Sequence, residues 1–377
     1  MHKINAPLLA CFLTLAVITT VIIPVAVNSI ENTAEGVTQM VDDNSSNMEN
    51  LRSIEDRLTV QDDVLLSPVD GDDLEVGPIT ATDSRIFYVT NDLVHMSVSV
   101  AASRIYLFED GESALLYEAT KEEDHSQFGG ISQLETNGDY LVWVEVDEPW
   151  TLMVMDLESG EAKKVLTTDD EGQCELFAIT LIDDVVYWYG EGGMIFAYSL
   201  VLDELTIHMP EYPLYAPTPY TRIPNAMNDL FYLVEEDQGL TLVHEKQEDG
   251  EESLYPLSTE QVALLAVSDT HAVWADKTMK PTIEILDFES GKKEQIDIDL
   301  TAIRSMAFLG DMLLLDATMD GKAVVLAYDL DGLTWSVVAF ETMWLRYDGD
   351  GVYGTIVAER GNENFFAGVR RFGFAEE

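Results

Sequence analysis

Short apolar runs recur along this chain at nearly even spacing, and each run follows a polar turn. β-Branched and aromatic runs that are bounded by turn residues predict β-strands. One unit of strands repeated at such spacing is typical of a β-propeller, in which each unit forms one four-stranded blade. The seven runs are Ile86–Tyr88, Tyr140–Trp143, Val185–Trp188, Leu230–Leu233, His271–Trp274, Met312–Leu315 and Val352–Tyr353.

The spacing of the runs predicts the number of blades. From Asp139 to Asp350, the residues that precede successive runs are 45, 45, 41, 41 and 39 positions apart. A blade takes about 40–45 residues. The first step, from Ser84 to Asp139, is 55 residues, and we place an insertion at residues 91–101. The chain is therefore predicted to be all-β: a propeller of seven blades, each of four antiparallel strands, with six or eight blades as alternatives.

The second unit shows the predicted order of strands within one blade. Its strands, from the innermost outwards, are Ile131–Thr136, Tyr140–Val146, Thr151–Asp156 and Ala162–Thr167. The segment from Leu152 to Thr167, with its Glu-Ser-Gly turn, resembles the repeat of TolB-like β-propellers, and the fifth unit has the same turn at residues 289–291. The resemblance covers residues 62–377 and implies the propeller fold. Members of that family include periplasmic scaffolds, surface proteins and the propeller caps of serine peptidases.

The last unit has room for only three strands, Met343–Tyr347, Val352–Ala358 and Phe365–Phe372. A propeller protects its open edge when the two ends of the chain share one blade. We therefore expect an N-terminal strand at Val64–Pro68 to complete the last blade and close the ring.

The N-terminal residues predict that the protein is located outside the cytoplasm. Residues 1–27 contain Lys3 and then an apolar stretch at 6–27, which suits either a cleaved signal peptide or an uncleaved signal anchor. Residues 28–60 are polar and acidic and predict a linker or stalk, with an N-glycosylation sequon at Asn44. Residues 61–377 form the predicted propeller. We expect a secreted or membrane-anchored protein that touches the membrane only through residues 6–27.

The net charge of the chain excludes some classes of binding partner. The chain has 20 Lys and Arg against 70 Asp and Glu, a net charge of −50. Such a surface repels nucleic acid, whose binding needs clustered basic side chains. It favours solubility and would attract cations weakly.

Two columns of residues on the predicted innermost strands point to opposite sides, because side chains alternate along a strand. One column is apolar and should pack between blades: Ile79, Leu134, Ile179, Pro224, Leu265, Met306 and Leu345. The next residues form a smaller, more polar column that should border the central channel: Thr80, Glu135, Thr180, Asn225, Ala266, Ala307 and Arg346. We expect Glu135 and Arg346 to share this narrow space and pair, and we take both as candidate ligand-binding residues.

A proline- and tyrosine-rich loop at residues 210–224, between the third and fourth units, is the second candidate site. Prolines reduce the conformational entropy of a loop, and tyrosines offer flat amphipathic surface. We expect Tyr212, Tyr215, Tyr220 and Arg222 to form a recognition patch.

Familiar catalytic patterns are missing from the sequence. It has no Gly-x-Ser-x-Gly elbow, no His-x-His or His-Glu-x-x-His pair and no glycine-rich phosphate loop. We therefore predict no catalytic residues, no metal site and no cofactor. The chain is expected to be a binding or protein-interaction module at the cell surface, with an unknown protein or glycan of the cell envelope as partner. The alternative is a propeller enzyme, a polysaccharide lyase or glycoside hydrolase, with its site at the channel mouth.

Overall fold

The computed structural model describes residues 57–61, 64–66, 74–82, 84–93, 100–120, 128–147, 150–167, 178–190, 193–216, 222–226, 229–237, 239–247, 250–257, 259–319, 321–330, 333–340, 342–347, 351–360 and 363–374. The predicted targeting segment, almost all of the predicted linker and Asn44 lie outside these residues, so those predictions stay predictions. In the described part of the chain, no helix is long and apolar enough to cross a membrane.

The described residues form thirty strands in seven antiparallel sheets, which confirms the seven predicted blades. Blade 1 contains β3 (Leu74–Ala81), β4 (Ile86–Leu93), β5 (Val100–Glu109) and β6 (Glu112–Thr120), and blade 2 contains β7 (Phe128–Thr136), β8 (Tyr140–Asp147), β9 (Thr151–Asp156) and β10 (Ala162–Thr167). Blade 3 contains β11 (Thr180–Ile182), β12 (Val185–Gly190), β13 (Met194–Ser199) and β14 (Glu204–His208).

The remaining blades follow in chain order. Blade 4 contains β15 (Leu214–Tyr215), β16 (Asn225–Ala226), β17 (Asp229–Glu236), β18 (Gly239–Glu245) and β19 (Glu252–Pro256), and blade 5 contains β20 (Leu264–Val267), β21 (His271–Ala275), β22 (Ile283–Asp287) and β23 (Lys293–Ile296). Blade 6 contains β24 (Ala302–Leu309), β25 (Met312–Met319), β26 (Lys322–Asp329) and β27 (Thr334–Phe340). Blade 7 contains β28 (Thr342–Tyr347), β29 (Val352–Arg360) and β30 (Glu363–Phe374), with β1 (Leu58–Val60) and β2 (Val64–Leu65) paired to β30.

The described residues of the insertion predicted in the first unit, 91–93 and 100–101, belong to two paired strands. β4 continues to Leu93 and β5 begins at Val100, and Asn91 is the register partner of Ser103. The extra residues therefore lengthen a hairpin within the blade.

The core of the molecule lies between neighbouring blades. Val142 of blade 2 packs in one buried cluster with Trp188 of blade 3, and Phe231 of blade 4 packs in another with Trp274 of blade 5. Each of these four side chains is at most 1% exposed. The predicted apolar column takes part in this packing, since Leu134 and its equivalents in blades 1, 3 and 7 are 0–5% exposed.

One backbone hydrogen bond recurs in four blades at the polar residue that precedes the apolar run. The residue after the third strand donates its N–H to the carbonyl of that polar residue, which fastens the outer hairpin to the inner one. The pairs are Leu157 to Asp139 at 2.8 Å, Leu200 to Asp184 at 2.8 Å, Phe288 to Thr270 at 2.9 Å and Leu330 to Asp311 at 3.1 Å.

The N-terminal residues close the ring. β2 pairs Val64 with Val369, as the sequence predicted, and β1 adds a second contact by pairing Leu58 with Phe374. Just before β1, Arg57 forms ion pairs with Asp311 and Asp329 of blade 6. β1 lies inside the segment predicted as linker, so blade 7 begins earlier than the predicted boundary at residue 61.

Candidate functional site

The innermost strand of blade 4 is interrupted, and this interruption builds the candidate site. Both β15 and β16 pair with β17, with Leu214 opposite Val234 and Asn225 opposite Leu230. The innermost strand is therefore interrupted between Tyr215 and Asn225; we call the described residues of this interval, 216 and 222–224, the blade 4 excursion. The sequence placed the whole proline-tyrosine segment between blades 3 and 4, whereas the structure places Leu214–Tyr215 on a strand of blade 4.

The end of the excursion is fixed by packing. Ile223 is 1% exposed and joins the buried cluster between blades 3 and 4, and the carbonyl of Pro224 accepts a hydrogen bond of 3.3 Å from the N–H of Phe231. The anchored backbone presents the side chain of Arg222.

Arg222 completes a charged cluster in the central channel. Its Nη1 contacts Oε1 of Glu135, and Nη1 of Arg346 lies 3.5 Å from the same oxygen. The predicted pairing of Glu135 with Arg346 is thus confirmed. Arg222, which the sequence assigned to a separate patch, joins them.

The location of this cluster follows from the order of the blades. Glu135 belongs to blade 2, Arg222 to blade 4 and Arg346 to blade 7, so each contact passes over an intervening blade. Side chains of non-adjacent blades meet only near the axis of the ring. The side chains of Arg222 and Arg346 remain 30% exposed and that of Glu135 remains 15% exposed, so solvent reaches the cluster.

Neighbouring groups hold Arg346 in place. Its Nη1 donates a hydrogen bond of 3.2 Å to the carbonyl of Ile79, and the hydroxyl of Tyr353 donates to the same carbonyl at 3.3 Å. Burial disfavours the charge on Arg346, but Tyr353 and Glu135 outweigh it and raise the pKa of the guanidinium. Arg346 therefore lines the channel with a fixed positive charge at any pH near neutrality.

The surroundings of Arg222 stabilise its positive charge less than those of Arg346 do. Burial and the like charge of Arg346 lower the pKa of Arg222, against the opposing effect of Glu135. Both guanidinium groups nevertheless stay protonated at neutral pH. Two positive charges thus meet one carboxylate within this cluster, which leaves one positive charge in excess in a molecule of net charge −50.

Of the three tyrosines in the predicted patch, the structure describes Tyr212 and Tyr215. Tyr212 is 41% exposed, but Tyr215 is half-buried, and its hydroxyl donates to the carbonyl of Val262 and accepts from its N–H, both at 3.2 Å. Tyr215 thus ties blade 4 to blade 5. Tyr220 lies outside the described residues. A ligand-binding role for these residues stays a prediction.

The predicted channel column is mostly enclosed. Thr80, Thr180, Ala266 and Ala307 are 4–7% exposed, and the side chain of Asn225 is outside the described ones. The long side chain of Glu135 extends beyond these enclosed residues into the channel. The charged cluster, and not the whole column, is therefore the accessible polar feature.

A group of possible metal ligands lies away from the axis, between blades 3 and 4. Among the described residues, His208, Glu245 and Glu252 place one ligand atom each within 4.8 Å of one another. The sequence search missed it because His208 comes from a different blade. The available signal was the two glutamates that flank one hairpin turn.

An acidic groove of about 540 Å³ lies where hairpin turns of blades 1, 2 and 3 meet. Its lining residues are Arg85, Gly138, Asp139, Tyr140, Asp156, Leu157, Glu158 and Asp184. Arg85 spans it by donating a hydrogen bond of 2.7 Å to the carbonyl of Gly138. Weak attraction of cations to this acidic surface stays a prediction.

Comparison with known proteins identifies the fold. No family model and no curated protein sequence matches the chain. Among solved structures, TolB from Acinetobacter baumannii has a TM-score of 0.44 and 12% identity over 67% of this chain. U3-55K has a TM-score of 0.51 and 11% identity over 84% of this chain and 98% of its own. A prolyl endopeptidase has a TM-score of 0.52 and 13% identity over 81% of this chain.

These similarities concern architecture. The chain spans 62% of the TolB chain and 50% of the prolyl endopeptidase chain that it matches. Identities of 11–13% are those of a shared fold. The propeller fold is thus shared with U3-55K and with the prolyl endopeptidase, whose TM-scores are 0.51 and 0.52.

Proposed function

We propose that this chain is a non-catalytic binding module at the cell surface, which holds a protein partner at the mouth of the central channel. The observation that carries the proposal is the contact of Arg222 with Glu135. An excursion that interrupts a strand of the ring delivers this arginine to the axis. Loops held on a rigid scaffold commonly carry function.

The charge balance indicates which group of the partner enters. The cluster holds one positive charge in excess, and arginine binds carboxylates through paired, charge-assisted hydrogen bonds. The net charge of −50 repels a polyanion. A partner that offers one carboxylate on an otherwise neutral or basic segment satisfies both conditions.

The size of the channel favours a protein over a glycan. Side chains of blades 2, 4 and 7 contact one another at this level, so the space admits a single small group. A chain terminus or one acidic side chain fits such a space better than a sugar chain does.

The proposal is tested by capture of partners from a cell-envelope extract on the immobilised protein, its Arg222→Ala variant and a matched control, Arg104→Ala. Arg104 forms an ion pair of 2.6 Å with Glu118 and lies on β5, the third strand outwards from the axis in blade 1. We expect a defined protein to be retained by the wild type and the control and to be reduced at least about tenfold by Arg222→Ala, the equivalent of 1.4 kcal/mol. Equal retention by all three proteins would refute the proposed site.

Separate experiments test the alternative enzymatic function and the proposed location at the cell surface. A polysaccharide lyase or glycoside hydrolase would shorten envelope glycans incubated with the protein, whereas a binding module leaves their length unchanged. A surface location predicts that protease added to intact cells removes the propeller, while a cytoplasmic control protein survives.

A further inference from the structure

A histidine and two glutamates converge at the outer part of the boundary between blades 3 and 4. Glu245 and Glu252 are register partners on β18 and β19, so their side chains project together. His208 is the last residue of β14 in the neighbouring blade, and its Nε2 lies 3.5 Å from Oε2 of Glu245. One ligand atom from each residue lies within 4.8 Å of the other two.

The electrostatics of this group are unfavourable without a further cation. Two carboxylates directly opposite on paired strands repel each other. Oε2 of Glu245 is enclosed, with Nε2 of His208 3.5 Å away, and the hydroxyl of Tyr232 also interacts with this carboxylate, so no full positive charge of the described residues is fixed beside the two glutamates.

A tyrosine hydroxyl borders the same space. The hydroxyl of Tyr232 lies 3.2 Å from Nε2 of His208 and 3.5 Å from Oε1 of Glu252, and burial raises its pKa. Tyr232 is 1% exposed as a residue, so its position is fixed by the core. With an ion bound to Nε2 of His208, that nitrogen can no longer bond to the hydroxyl, which would then orient the carboxylate of Glu252, as outer partners in metal sites do.

We propose that His208, Glu245 and Glu252 bind a divalent transition-metal ion, for which Zn²⁺ is the best fit. Zn²⁺ binds imidazole nitrogen and carboxylate oxygen at about 2.0–2.2 Å with tetrahedral geometry. These bond lengths place neighbouring ligand atoms roughly 3.3–3.6 Å apart. The separation of 3.5 Å between Nε2 of His208 and Oε2 of Glu245 matches this edge of the tetrahedron.

The ligand set and the access route support this choice of ion. Ca²⁺ and Mg²⁺ prefer oxygen ligands alone, whereas imidazole suits Zn²⁺. Two carboxylates neutralise the ion, and three protein ligands leave one position for water. The side chain of His208 is 33% exposed and Glu252 is exposed, so the ion reaches the site from solvent.

The chain offers a matched control at another histidine. Nε2 of His271 lies 3.5 Å from Oδ2 of Asp287, the same separation as in the proposed site. This pair does not belong to a group of three metal-ligand residues among those described. His271→Ala therefore removes a histidine–carboxylate contact but leaves the proposed site intact.

The test is calorimetric titration of the metal-stripped full chain with ZnCl₂ in 0.15 M NaCl and excess Ca²⁺, which occupies non-specific acidic sites. We expect one saturable Zn²⁺ site in the wild type and in His271→Ala. His208→Ala and Glu252→Gln should each weaken it at least about 100-fold, because loss of a direct ligand exceeds the 10–100-fold effect typical of outer partners. Glu252 is exposed, so Glu252→Gln should keep the fold, which circular dichroism verifies.

Two results would overturn the proposal. One is weak binding at several sites that all the proteins share, which is the behaviour of a general acidic surface. The other is a tight site that survives both His208→Ala and Glu252→Gln, which would place the ion elsewhere.

Discussion

Ring closure by β1 predicts that Leu58 stabilises the whole propeller, although it lies in a segment that the sequence marks as a linker. Leu58 is 7% exposed and packs in the buried cluster between blades 6 and 7. Val60 lies on the same short strand but is 39% exposed. The substitutions Leu58→Ala and Val60→Ala therefore remove similar amounts of side chain from the same strand, one from the core and one from the surface.

The magnitude follows from the burial of each side chain. Leucine-to-alanine substitutions in a core cost about 2–5 kcal/mol. β1 is an edge strand with one neighbour and can partly collapse into the space, so we expect the lower part of this range, about 2–3 kcal/mol. The entropy of unfolding is about 2.1 cal/mol/K per residue, or roughly 0.6 kcal/mol/K for some 300 residues. Leu58→Ala should thus lower the Tm by about 3–5 °C.

Thermal unfolding followed by near-ultraviolet circular dichroism measures this shift, because the buried tryptophans report on tertiary packing. Val60→Ala should stay within about 0.5 kcal/mol of the wild type, which is a shift of under about 1 °C. If Leu58→Ala leaves the Tm unchanged, or if both variants lower it equally, β1 does not contribute to the core as we argue.

Two further predictions concern packing and pH. Gly190→Ala would place a methyl group against the buried ring of Phe196 and should cost about 1–3 kcal/mol in urea denaturation, whereas Gly373→Ala meets open space and should be nearly neutral; equal effects would contradict the packing argument. Burial raises the pKa of Glu245 in the folded state. The stability of the fold relative to high pH is therefore fully present below the unfolded-state pKa of this carboxyl group and is lost as the pH rises through its folded-state pKa. Glu245→Gln should therefore raise the Tm of the metal-free protein at pH 7 but give no gain below about pH 4, and a gain that is constant with pH would contradict it.

The blades could be predicted from the sequence because their signals are local. In blade 2, the predicted strands Thr151–Asp156 and Ala162–Thr167 have the observed bounds, and the other two differ by at most three residues at either end. Alternating apolar residues and tight turns fix these limits within a few positions of chain. β1 was missed because its three residues, Leu-Thr-Val, follow an acidic stretch and gain their strand partner only when the ring closes.

The candidate sites could be predicted only in part, because they depend on contacts between blades. A strand register places Glu135 and Arg346 in one column, and their pairing follows from it. No register places Arg222 beside them, since it lies on the excursion and reaches the axis through its long side chain. His208 meets Glu245 only because β14 borders blade 4, a neighbour relation that no short sequence pattern contains.

The interruption in blade 4 shows how a regular ring can carry a specific site without losing its sheet. On either side of the gap, the N–H of Glu235 bonds to the carbonyl of Pro213 at 2.8 Å and that of Phe231 bonds to Pro224 at 3.3 Å. The second strand of the blade thus keeps backbone partners at both ends, so the excursion costs little of the ladder. Ile223, which is buried in the core next to Arg222, fixes the backbone from which the guanidinium extends. The repeated blades supply a rigid framework, and the interruption in blade 4 supplies the charge of the proposed binding site.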